Sequence, residues 1–297
     1  MEKNNKDFKV PTSNELKKLQ DELVDTILTK PEELKKIINV QLASRNGFYN
    51  YTLHNLILAD YQLLMRTGEG IEILAPYKVW EEKGRQVKKG EKALRVLAPV
   101  FKKYTDDNGE ETEKLAYFMR VPVFDLSQTV GENLETDFTH GNDLHFTLEE
   151  IINRGKVKVN FSNKQLTRGY TDGKEIWVSK HTSTEKQICT YLHELGHYYL
   201  HFDSNREMID RPTRELEAEA VSYLVSCYLG IHDDEAPAYI KHWTEKYTDD
   251  ERTELLKGKG SNVLKTATKI INELNLDDLL DSKINLLNVP CENGVKV

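Results

Sequence analysis

Residues 184–202 read TEKQICTYLHELGHYYLHF. Ile188, Leu192, Leu195 and Tyr199 recur at helical spacing, which predicts one helix with a core-facing stripe over the whole stretch. Inside it stands His193-Glu194-Leu195-Gly196-His197. The two histidines fall one turn apart on one helix face. Their ring nitrogens can therefore reach a single Zn²⁺ at about 2.0–2.1 Å. Glu194 sits where its carboxylate can take a proton from a water whose pKa the ion lowers toward about 7. The alternative is a chance match in a chain with 9 histidines. The mid-helix setting favours the metal, because a two-ligand face requires a helix.

A third ligand is needed. His201 continues the spacing, but at 1.5 Å per residue it lies about 12 Å along the axis from His193, so three successive turns cannot converge on one ion. The ligand is expected from a second helix, RELEAEAVSYL at 214–224. Glu215 and Glu219 share a face there, and Glu217 lies about 200° around from Glu215. Turning Glu217 away leaves Glu215 as ligand and Glu219 as an outer carboxylate that fixes a histidine tautomer. A solvated acidic face is the competing reading, and Glu219 is the second candidate ligand. A two-histidine, one-glutamate site keeps a coordination position open, as catalytic zinc requires. Glu175–Ser179, just upstream, reads as a strand; it either lies along the cleft as an edge for an extended peptide or is an ordinary sheet strand. Tyr170, Tyr198, Tyr223 and His181 are all candidate oxyanion stabilisers, with no ground for choosing one.

HELGHYYLH followed by ELEAEAVSYLV resembles the ImmA/IrrE-type and ArdC-type zinc metallopeptidases. The resemblance implies His193 and His197 as histidine ligands, Glu194 as base, Glu215 as third ligand and Glu219 as the polar residue four positions on. The crowded acidic run is where this chain departs from the pattern.

The front half is different. Between Tyr77 and Lys103 nine basic residues face three acids, a local charge of +6, whereas the whole chain carries −8. From Phe202 to the end, 19 acids oppose 12 bases. Such asymmetry suggests two jobs. Basic residues with Trp80, Phe48, Tyr49 and Tyr51 nearby meet the physical requirement of a single-stranded nucleic-acid groove, although charge runs more often coat a solvated face and aromatics more often pack a core. Here too a resemblance adds to the residues. YNYTLHNLILA (49–59), YKVWEEKGRQVKKGEKALRVLAPV (77–100) and VPVFDLSQT (121–129) are similar, in order, to the N-terminal domain of ArdC-like antirestriction proteins, which implies single-stranded DNA binding and a conjugation context. Lys88, Lys89, Lys92 and Arg95 are the candidate phosphate contacts. Trp80 is a candidate stacking platform or a core residue.

Periodicity predicts helices over 15–30 behind an N-cap at Ser13, from Pro31, over 47–66 and at 77–84. Strands are expected at 93–103 and 115–125, joined by an Asn108-Gly109 turn. A polar linker follows at 129–147, then a short helix at TLEEIINRG, strands at 156–161 and 175–179, and a helical remainder. The reading is α+β: a DNA-binding domain over 1–128 and a zincin-like peptidase domain over 148–297. No apolar run approaches the roughly 20 residues of a membrane span, and no secretory h-region is expected at the start. Three scattered cysteines build no disulfide framework, which points to a reducing cytoplasm. The expected activity is metal-dependent hydrolysis of a protein or peptide, joined to single-stranded DNA binding. Two rivals are an ImmA/IrrE-like endopeptidase that cleaves one repressor and a non-catalytic protein that coats single strands.

Overall fold

A computed structural model describes residues 11–27, 30–43, 48, 51–105, 111–132, 134, 145–163, 168–202, 209–231, 248, 251 and 258–287. The elements of the front half are α1 (Ser13–Ile27), α2 (Pro31–Ala43), α3 (Leu53–Thr67), β1 (Leu74–Ala75), α4 (Tyr77–Glu82), β2 (Arg85–Val87), β3 (Leu94–Thr105), β4 (Glu111–Asp125) and β5 (Thr129–Gly131). Those of the back half are α5 (Leu148–Ile152), β6 (Lys158–Ser162), β7 (Gly169–Thr171), β8 (Glu175–Ser179), α6 (Thr184–Leu200), α7 (Arg211–Tyr228), α8 (Lys259–Glu273) and α9 (Leu276–Leu287). The fold is α+β. Contacts divide it into two compact units, residues 1–24 with 43–135 and residues 25–42 with 136–297. Helix α2, expected in the first domain, groups with the second unit. Thr129–Gly131, expected in the linker, forms strand β5 and pairs antiparallel with β2. Residues 135–144 of that linker and the Asn108-Gly109 turn lie outside the described residues.

In the first unit, α3 starts after Thr52, whose side chain accepts from the Asn55 N–H, and ends at Gly68 with φ 83°. A left-handed residue there costs glycine nothing and closes the helix through its N–H to Leu64 O. β3 and β4 form a long antiparallel ribbon, with β1 on the far side of β4. One edge of β3 is covered by side chains of α3. Asn55 accepts from Leu97 N–H at 3.0 Å and donates to Leu97 O at 2.9 Å. Gln62, two turns on, does the same for Arg95 at 3.0 and 2.9 Å. These amides stand in for a neighbouring strand and protect the edge. Leu16, Leu58 and Leu97 form one core cluster, and Ile73, Ala75 and Trp80 another.

In the second unit, β8 is the central strand, parallel to β6 and antiparallel to β7. The expected edge at Glu175–Ser179 is therefore flanked on both sides, and among the described residues β6 and β7 are the edges of this sheet. Helix α7 is buried almost all round: Leu216, Ala218, Ala220, Val221, Leu224 and Val225 are each within 1% of full burial. Among the described residues no helix is long and apolar enough to cross a membrane.

Candidate metal centre

Helix α6 opens on Ser183, whose hydroxyl accepts from Lys186 N–H. Helix α7 opens on Asp210, whose carboxylate accepts from the Thr213 N–H and hydroxyl at 2.9 Å each, with Pro212 in the first turn. The two helices cross closely at Gly196. A Cβ there would meet the Ala218 Cα at 3.1 Å and its carbonyl at 3.2 Å. The glycine lets α7 approach near enough for its glutamates to reach the histidines of α6.

The structure brings His193, His197 and Glu215 together, with one ligand atom from each within 4.8 Å of the others. The two Nε2 atoms are 3.1 Å apart, and Glu215 Oε2 lies 3.5 Å from that of His193 and 3.6 Å from that of His197. A tetrahedral ion with bonds of about 2.0–2.1 Å holds its ligands roughly 3.3 Å apart. The three separations straddle that value, and two imidazoles with one carboxylate are a donor set suited to a divalent metal.

Around these three lies an outer layer. Ligation through Nε2 leaves each histidine's proton on Nδ1. His193 Nδ1 then donates to Glu219 Oε2, 2.9 Å away. His197 Nδ1 donates to His201 Nδ1 at 3.0 Å. His201 must in turn carry its proton on Nε2, 3.0 Å from Glu217 Oε2. Lys259 Nζ stands 3.9 Å from the other Glu217 oxygen. The sequence reading turned Glu217 outward and gave His201 no role. Both are buried, with side chains 4% and 1% exposed. The available signal was the apolar run after Glu217, which marks a helix buried on every side.

The charges are strongly coupled. Hydrogen bonds from His193 and His197 hold the Glu215 carboxyl well below the usual carboxylate range. Burial opposes charge on His193, but the Glu215 and Glu219 carboxylates outweigh it and raise its pKa to about 10. Burial lowers that of His197. Burial, aided by the Glu215 charge, pushes Glu194 up to about 7.

A cavity of about 700 Å³ opens over the cluster, walled by Gly169, Tyr170, Thr190, Glu194, Arg214 and Ser222 among others. Strand β7 is tight against α6 there: a Cβ on Gly169 would lie 2.5 Å from Thr190 Cγ2 and 3.3 Å from Glu194 Cγ. Of the four oxyanion candidates, Tyr170 is the one that lines the cavity. Its ring stacks on Trp177 with centroids 4.6 Å apart.

In the first unit the structure corrects one expectation. Trp80 is 0% exposed, and its indole N–H donates to Phe124 O at 3.1 Å, so it is a core residue and not a platform. Lys88, Lys89 and Lys92 are exposed and Arg95 is half-buried. Lys88 Nζ donates to Ser127 O at 2.7 Å. Arg85, within the same basic run, is buried and donates to the Thr129 hydroxyl at 2.9 Å, so it braces β2 on β5.

An α+β chain with two histidines and a glutamate following the first of them on one helix, and a glutamate from a crossing helix, defines a class. Residues 156–238 match the IrrE N-terminal-like domain, Peptidase_M78. The fold is similar to that of the antirestriction ArdC protein from plasmid R388 over most of the chain. The metal-free crystal structure of that protein aligns with a TM-score of 0.50 at 20% identity over 82% of this chain and 98% of that one. Its Mn(II)-bound structure aligns at 0.52 and 19% over 87% and 97%. A Bacillus anthracis protein described as uncharacterized, pXO2-81, is 25% identical over 91% of this chain. The chain spans 54%, about half, of the length of that relative.

Proposed function

We propose that the protein is an ArdC-like antirestriction factor of the cytoplasm. Its second unit is a zinc-dependent peptidase and its first unit binds single-stranded DNA. The observation that carries the peptidase reading is the 3.1–3.6 Å triangle of His193, His197 and Glu215. The match of residues 156–238 to a peptidase family supports it. Bound there, zinc would acidify water and polarise a carbonyl. Glu194 takes a proton from the attacking water and returns it to the departing amine nitrogen. Glu219 and His201 hold the two imidazoles in the tautomer and orientation that keep Nε2 free for the ion. Strand β7, whose far edge is unpaired among the described residues, lies where an extended substrate peptide would run. Lys88, Lys89, Lys92 and Arg95 contact phosphates, consistent with the exposure of the three lysines. The name of the ArdC protein supports the antirestriction role.

Glu194→Gln tests the mechanism. It preserves shape and the three ligands but removes the base. Zinc content should stay at the wild-type level while hydrolysis of a susceptible protein falls by 10²-fold or more. Wild-type hydrolysis by this variant would overturn the mechanism. Equal protection of incoming DNA by both proteins would assign antirestriction to the first unit alone.

A further inference from the structure

We propose that single-stranded nucleic acid stacks on one face of the β3–β4 ribbon. The proposal rests on the reading that the first unit binds single strands, and it names the surface. The side-chain amides of Asn55 and Gln62 cover β3 only at Leu97 and Arg95. Beyond them the ribbon leaves its cover. Phe101 is 56% exposed, Tyr104 46%, Leu115 49%, Tyr117 53% and Met119 50%. Phe101 and Leu115, paired with each other, lie on one face. The exposed rings of Tyr104 and Tyr117 lie on the other, and exposed ring surface on two bare strands marks an interaction site.

The two faces of the ribbon differ. A register shift between Val100 and Phe101 re-aims the strands. Past it, Lys102 Nζ lies 6.0 Å from the Tyr117 ring centre and Lys114 Nζ 5.9 Å from that of Tyr104. Those contacts put two lysines and two tyrosines on one face. Lys103, next to Lys102 in the strand, points the other way. It is paired in register with Glu113 and makes an ion pair with Glu111 at 3.0 Å. Among the described residues, Glu111 and Glu113 thus lie on the face opposite Tyr104 and Tyr117. Asp106, Asp107 and Glu110 belong to the connecting segment, outside the described residues, and the surface proposed ends at Tyr104 and Thr112.

A face with two cations beside two planar rings and, among the described residues, no carboxylate fits a polyanion that exposes planar groups. Single-stranded nucleic acid is such a ligand: lysines neutralise phosphates and rings stack on bases of any sequence. A duplex hides its base faces. A peptide added to the β3 edge would use backbone groups and be indifferent to the rings.

The test uses the full chain and a labelled oligothymidine over a salt series. Tyr104→Ala and Tyr117→Ala should each weaken binding about tenfold at fixed salt. Tyr104→Phe and Tyr117→Phe should restore it. Lys102→Gln and Lys114→Gln should each lower the slope of log affinity against log salt by about 0.7. Phe101→Ala and Leu115→Ala, on the opposite face, should bind as wild type. Wild-type affinity in both tyrosine-to-alanine variants, or equal loss in Phe101→Ala, overturns the ribbon face and leaves DNA binding standing. Absence of binding by the unaltered protein removes both.

Discussion

Two acid–base contacts in this protein have the same length and opposite surroundings. Lys103 meets Glu111 at 3.0 Å on the ribbon, with side chains 68% and 61% exposed. His201 meets Glu217 at 3.0 Å between α6 and α7, with side chains 1% and 4% exposed. Water competes for every group of the first pair and for none of the second. The exposed pair is therefore replaceable, whereas the buried pair must satisfy every donor and acceptor it contains. The same contrast separates the two proposed sites. The metal centre is polar groups placed inside, where geometry decides what they do. The ribbon is apolar rings placed outside, where access decides.

The largest expected effect lies in the buried pair. Glu217→Ala strands the His201 N–H and leaves Lys259 without its carboxylate. Breaking a buried pair from one side costs about 3–5 kcal/mol, read as a loss of stability by denaturant unfolding of the metal-free protein. Glu217→Gln keeps an acceptor oxygen and tests position rather than burial. Its metal affinity should fall about tenfold, because the outer acceptor no longer strengthens the histidine chain. If Glu217→Gln binds zinc as wild type does, the His197–His201–Glu217 chain has no hold on the metal.

Next in size is the ion itself. A hundredfold excess of zinc over its Kd should add about 2.7 kcal/mol to the stability of the second unit. Chelation or Glu215→Ala should abolish that gain. Binding of oligothymidine should be unmoved by either, since Lys88, Tyr104 and Tyr117 lie in the other compact unit. A loss of oligonucleotide affinity on chelation would break the separation of inside chemistry from outside chemistry.

How much of this was legible follows from what sequence spacing encodes. Spacing encodes angles on one helix. It put His193 and His197 on one face and set Glu215 about 200° from Glu217. It carries no information on where a second helix crosses, and so Glu217 was faced away, although past its first turns α7 is buried almost all round. Gly196 marks the crossing point, yet only the approach of Ala218 to 3.1 Å reveals why a glycine stands there. Strand β7 was missed because three residues, Gly169-Tyr170-Thr171, are too few to show alternation. Trp80 was ambiguous for another reason: a ring beside lysines reads alike whether it faces the core or the bases, and burial is set by Ile73, Ala75 and Phe124 arriving from elsewhere in the chain. The Lys–Tyr face of the ribbon is hidden by the register shift at Val100, which no alternation count detects.

The smallest expected effect completes the comparison. Lys103→Met removes the exposed pair while keeping the length of the side chain over the ribbon. Its partner Glu111 remains hydrated, so no buried charge is left behind. Stability should change by less than about 0.5 kcal/mol, and the difference should vanish at 1 M salt, where screening acts within about 3 Å. Oligothymidine binding should also hold, because Lys103 points away from Tyr104 and Tyr117. A drop comparable to that of Lys102→Gln would mean that both faces of the ribbon attract phosphates. The segregation of its charges would then have no bearing on how a strand is bound.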